Sequence, residues 1–150
     1  MKRILVGLDG SDRATGVLDA SVTLGRALGA RLVVFRAVGL PPDLPQDFFK
    51  TTDQAPLEFL CNGARDYLKA CTARVPAELL APEGPEVVVG VAWDAVCGTA
   101  RRLQVDLIVI GSHGYGGIDR LLGTTAAKVV NHAPCSVLVV RDRPLEGRPG

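Results

Sequence analysis

Ile4-Leu5-Val6-Gly7-Leu8 is an unbroken apolar run of strand length, ended by the turn formers Asp9-Gly10-Ser11-Asp12. Apolar residues then recur at helical spacing, at Val17, Ala20, Leu24, Ala27 and Leu28, with Asp19, Thr23 and Arg26 on the other side. Gly29 is placed to stop that helix. The run over residues 32–38 predicts a second strand. A second helix is predicted from Leu57, Leu60, Cys61, Ala64, Leu68 and Cys71, which share a face from which Glu58, Arg65 and Lys69 point away. Val87-Val88-Val89 is a third strand. Val96, Ala100 and Leu103 mark a third helix, which Asp94 is placed to open. Residues 105–110 form a fourth strand, residues 125–132 a last helix, and Val137-Leu138-Val139-Val140 a last strand.

Strand alternates with helix throughout, and the strands are β-branched runs rather than polar alternations. Such runs suit strands covered on both faces. The pattern predicts one α/β domain over residues 1–141, built on a mainly parallel sheet, followed by a fraying tail at 142–150 that carries Arg143, Arg148 and two prolines. Residues 39–56 break the rhythm with four prolines, three aspartates and the apolar pair Phe48-Phe49. A loop that long in a small domain is a lid, a binding loop or disordered.

Composition narrows the function. The chain of 150 residues carries Lys+Arg 17 against Asp+Glu 16, so no basic excess points to nucleic acid. No apolar run approaches the roughly 20 residues of a membrane span. Met1-Lys2-Arg3 begins like a signal peptide, but the apolar run after it stops at Asp9, short of the roughly 7–15 residues a secretory core needs. The sequence therefore predicts a cytoplasmic protein. Its four cysteines, Cys61, Cys71, Cys97 and Cys135, form no CxxC pair and read as small buried hydrophobes.

Ligands of open α/β sheets bind beyond the carboxyl ends of the strands. Two such ends carry candidate chemistry. One is Leu8-Asp9-Gly10-Ser11. The other is Ile110-Gly111-Ser112-His113-Gly114-Tyr115-Gly116-Gly117, with four glycines in seven residues. Glycines there let successive N–H groups converge on an anion, and a following helix N-terminus adds positive potential. Thr124 and Thr125 open that helix with two hydroxyls, fit either to cap it or to donate to a phosphate. A tight turn with an ordinary threonine cap explains the same residues. No GxxxxGK[ST], GxGxxG or GxSxG motif occurs, which removes P-loop, Rossmann and α/β-hydrolase readings.

Four stretches taken together resemble the universal stress protein family: residues 4–11, residues 106–114, residues 123–130 with Gly123-Thr124-Thr125, and residues 132–140. The resemblance implies a five-stranded parallel sheet of order 3-2-1-4-5 and a homodimer. In many members it also implies ATP, with or without Mg²⁺, bound through a G-x2-G-x9-G-[ST] pattern. Matched residue by residue, it places Gly111, Gly114, Gly123 and Thr124 at the phosphates and ribose; His113, by its own place inside the glycine loop, is a further candidate donor to a phosphate, and Thr125 a neighbouring hydroxyl. It puts Asp9 at the ribose or a nucleotide-bound metal, and the backbone of Ala37 and Val38 at the adenine. The last strand, Val137, Leu138, Val139 and Val140, becomes the edge at which two subunits pair.

The sequence departs from the pattern once: Gly114 and Gly123 enclose eight residues, not nine. In a helical spacer, one residue fewer rotates the downstream side chains by about 100°. With two adjacent threonines, one still faces the site. Asp9 reads equally well as a turn aspartate, and His113 as a loop donor to backbone. His132 suits a helix C-terminus, Trp93 suits packing, and Arg120 and Lys128 suit a solvated surface. No catalytic base stands out, so the sequence predicts a nucleotide-responsive regulatory or interaction module in the stress response. A dimeric interaction protein without nucleotide and a slow ATPase are the alternatives.

Overall fold

The apolar run near the start of the chain becomes β1 (Arg3–Gly7), in which Ile4, Leu5 and Val6 are fully buried. A computed structural model describes residues 1–39, 55–112 and 122–141. The loop expected over 39–56 lies, apart from its ends, outside the described residues, as do His113, Gly114 and the tail expected at 142–150. The remaining elements are α1 (Ala14–Leu28), β2 (Arg31–Val38), α2 (Ala55–Thr72), β3 (Glu86–Val89), α3 (Ala92–Leu103), β4 (Leu107–Gly111), α4 (Thr124–His132) and β5 (Ser136–Val140). The described strands form one parallel sheet in the order β3-β2-β1-β4-β5. That is the order the family resemblance implies.

Alternation along each strand sorts the core into two layers. Ile4, Val6, Leu32, Val34 and Val109 face α1 and α2, where Val17, Leu18 and Leu68 meet them. Leu5, Val33, Phe35, Ile108 and Ile110 face α3 and α4, against Val96, Cys97, Ala100 and Val129. With the first two crossovers on one face and the last two on the other, the strand order reverses between β1 and β4. A cleft opens at such a reversal because the connections on either side diverge.

Helix ends follow local chemistry. Gly29 closes α1 as expected, at φ 62, and its N–H donates to the Gly25 carbonyl. Two boundaries differ from the sequence expectation. Asp94 does not open α3; the helix starts at Ala92 after the extended Val91, and Asp94 sits in the first turn, where its charge favours the helix dipole. Val105 is not yet strand: Gln104 turns left-handed and the Val105 N–H still reaches back to the Ala100 carbonyl. The proline-rich stretch after α2 also holds a short 3₁₀ turn, Ala77–Leu79. All four cysteines are free, with Cys61 and Cys97 buried and the other two half-buried.

The amino-terminal rim of the sheet is tied by charge. The Asp106 carboxylate accepts the backbone N–H groups of Lys2 and Arg3 at 2.7 and 3.0 Å. Those two bonds hold its pKa below the ordinary 3.8. A carboxyl whose pKa falls on folding adds stability above its unfolded value, and that contribution fades as pH drops through the folded one. Asp106→Asn should therefore melt earlier than wild type at pH 7. The gap should narrow on acidification below 3.8, in thermal melts followed by circular dichroism across that range.

Candidate nucleotide cleft

At the carboxyl ends of β1, β2 and β4 lies a cavity of about 420 Å³. Pockets of 300–1,000 Å³ are the usual size for small-molecule ligands. β1 contributes Gly7 and the residues Leu8 and Asp9 just beyond it. β2 contributes Phe35 and Ala37, and β4 contributes Ile110 and Gly111. The first turns of three helices complete the wall: Ala14 and Val17 from α1, Ala92 and Val96 from α3, Thr125 and Ala126 from α4. The lining residues are apolar apart from Asp9 and Thr125. An apolar wall with few polar groups suits a flat heteroaromatic ring carrying a polar tail.

Three helix N-termini converge on this cleft, and none has a side-chain hydrogen bond at its cap: Arg13 precedes α1, Val91 precedes α3 and Gly123 precedes α4. An α-helix leaves its first N–H groups without intrahelical acceptors, and the macrodipole adds positive potential there. That potential favours an anion at these helix starts. Gly7 is needed on steric grounds, since a Cβ at that position would meet the Ile110 side chain at 2.9 Å.

Of the residues singled out in the sequence, the fold gathers Asp9, Ala37, Gly111 and Thr125 around one cavity. The Asp9 carboxylate accepts the Ser11 N–H at 2.9 Å and the Ser11 hydroxyl at 2.7 Å, so it also does the work of a turn aspartate. Val38 does not line the cavity: it is buried against Cys61 and Ala64 of α2, and its carbonyl accepts the Gly90 N–H at 3.0 Å. Gly123 caps α4, and its N–H donates to the Ser112 carbonyl at 3.3 Å. Neither threonine acts as the cap. Both threonines are exposed, and Thr125, not Thr124, lines the cavity.

Of the residues read as packing or surface groups, Trp93, His132 and Lys128 lie together at the α3–α4 contact, and Arg120 lies outside the described residues. The Trp93 and His132 rings lie 4.8 Å apart, and the Lys128 ammonium sits over Trp93 at 5.7 Å. The apolar wall was missed: Phe35, Val96 and Ala126 look like core residues in sequence. Their only signal is position, at a strand's carboxyl end or in the first turns of a helix that follows a loop. Among the described residues no group of three or more His, Cys, Asp or Glu could hold a metal, and no helix is long and apolar enough to cross a membrane.

Comparison with known proteins agrees with the architecture. Universal stress protein A homolog 1 of Coxiella burnetii is 32% identical over 142 residues, which cover 93% of this chain and 95% of that protein. The universal stress protein UspA from Lactobacillus plantarum matches with a TM-score of 0.70 at 25% identity, over 93% of this chain and 97% of its own. A universal stress protein solved in complex with cAMP matches with a TM-score of 0.62 at 26% identity, over 95% of this chain and 98% of its own. The model of the universal stress protein family matches residues 1–141, and the chain belongs to that family.

Proposed function

We propose that this protein binds ATP in the cleft between β1, β2 and β4 and acts in the cytoplasm as a nucleotide-responsive regulatory module of the stress response. The observation that carries the reading is the union, in one cavity, of an apolar wall, the Asp9 carboxylate and three helix N-termini without side-chain caps. The related chain in complex with cAMP supports an adenine nucleotide as the ligand. The base would lie against Phe35 and Ala37, the ribose near Asp9, and the phosphates toward Gly111 and α4. His113 and Gly114, outside the described residues, belong to this proposal through the sequence pattern alone. Thr125 takes the place the pattern gives to Thr124, as a spacer shortened by one residue requires. Any Mg²⁺ would arrive on the triphosphate, with Asp9 as its protein neighbour. ATP supplies the bound charge; the protein's own groups orient it, and among the described residues none is placed as a base to activate a nucleophile.

Isothermal calorimetry with ATP, joined to a phosphate-release assay, tests this reading. Binding without turnover is the expected result. Binding with steady phosphate release would make the protein a slow ATPase. No heat at all would leave a dimeric interaction protein.

The same reading includes a homodimer through β5, an edge strand whose Leu138 is 39% exposed. The Ser112 N–H donates to the Val140 carbonyl, so Val140 turns its backbone groups toward β4. Alternation gives Leu138 the same direction and leaves Val137 and Val139 facing outward. Pairing across a two-fold axis would satisfy that open edge. Val139→Pro should then give a folded monomer, while Leu138→Pro should damage the sheet itself. Light scattering and circular dichroism on both variants read the outcome, and a dimeric Val139→Pro rules out this pairing.

A further inference from the structure

Arg36 lies on β2 between Phe35 and Ala37, but on the opposite face, so it points away from the cleft that those two residues line. Leu8 lies alongside, its N–H donating to the Phe35 carbonyl at 2.9 Å. From there the Arg36 guanidinium reaches beneath the β1–α1 turn. Its Nη2, Cζ and Nη1 atoms stand 2.8, 2.9 and 3.2 Å from where a Cβ on Gly10 would be. Cζ is also 4.8 Å from the centre of the Tyr67 ring of α2. The guanidinium is thus in reach of both the turn backbone and an aromatic ring. Burial first, then a hydrogen bond with Cys71, push the Tyr67 hydroxyl up to about 12, so the ring stays neutral. Asp9 and Arg36 act on that hydroxyl in opposite directions, which puts carboxylate, guanidinium and ring in one neighbourhood.

We propose that Arg36 is a positioning residue, a wedge seated on Tyr67 that holds the Asp9-Gly10-Ser11 turn in the form that presents the Asp9 carboxylate to the cleft. The turn itself is exposed; within it the Ser11 N–H and hydroxyl donate to Asp9, and the Ser11 carbonyl accepts the Ala14 N–H at 3.1 Å. Such short-range bonds do not fix where a turn sits on the sheet. Contact with a planar cation stacked on a half-buried ring does, and lysine cannot reproduce it because an ammonium has no flat face to pack. Gly10, at φ +80, is required twice over: for its left-handed backbone and for the space Arg36 occupies. The role of the wedge in binding rests on the nucleotide reading above; its effect on the turn does not.

Amide hydrogen exchange at Ser11 in nucleotide-free protein, with ATP affinity by calorimetry, separates the two. In Arg36→Met, Ser11 should exchange about tenfold faster, the equivalent of one net hydrogen bond, while Leu5 and Val33 amides keep their wild-type protection. ATP affinity should fall by about the same factor. Arg36→Lys should fall between, and Tyr67→Leu should move both readouts the same way. The lysine and Tyr67 variants keep the test alive if Arg36→Met does not fold. Ser11 exchange within about twofold of wild type in the folded variants overturns the wedge. A loosened turn with unchanged ATP affinity overturns its role in positioning Asp9. If wild type binds no ATP, the nucleotide reading fails alone, and Ser11 exchange still decides whether Arg36 holds the turn.

Discussion

Phe35→Ala should cost about 3–5 kcal/mol of stability, the largest loss expected of any single truncation considered in the cleft. Phe35 is 1% exposed and packs in the layer beneath α3 and α4, yet its edge also forms cleft wall. Removing the ring takes away its transfer free energy and leaves a void that the rigid β-branched neighbours Val33 and Ile108 cannot fill. Domains of this size hold about 5–15 kcal/mol in total, so the variant would be left near the edge of folding. Its melting temperature should drop by roughly 6–20 °C. Phe35→Leu should lose much less, because most of the apolar volume remains. Thermal melts of the two variants read the difference; equal melting temperatures would mean that Phe35 is not part of the core.

Ala37→Phe should leave the fold intact and abolish ATP binding. Ala37 is half-buried, lining the open cavity at the margin of the core layer beneath α3 and α4. A phenyl group there enters the space assigned to the base, with little cost to the sheet because Phe suits a strand. Affinity should fall about a hundredfold or more, near 2.8 kcal/mol, in a calorimetric titration. Unchanged melting temperature with lost binding would place the base beside β2. Wild-type affinity in the folded variant would move it elsewhere.

The strands and helices were legible because each carried a period. Continuous runs such as Leu32-Val33-Val34-Phe35 announce a strand covered on both faces, and the Val17–Leu28 spacing announces a helix with one apolar side. Strand order was not legible from periodicity; it came from the family resemblance and agrees with the fold. Boundaries failed where backbone hydrogen bonds outvoted side-chain signals. Gln104 ends α3 in a left-handed turn that no glycine announced, and Val91 precedes a helix without any polar cap. For the candidate site, the polar residues were visible and the apolar wall was not. Asp9 and Thr125 stand out as chemistry at a strand end or helix start, whereas Val96 and Ala126 differ from core residues only by their place near a helix start. Arg36 was invisible as a functional residue because one charged residue in a strand says nothing about the turn it supports.

Occupation of the cavity at the carboxyl ends of β1, β2 and β4 by an adenine nucleotide is the central claim. An amide-shift titration of the full chain with ATP, by two-dimensional NMR, tests it most directly. Saturable shifts are expected at Asp9, Ala37, Gly111 and Thr125, with Arg3 and Asp106 at the opposite end of the sheet unmoved. An unchanged spectrum at saturating ATP, or shifts centred on that opposite rim, would contradict it.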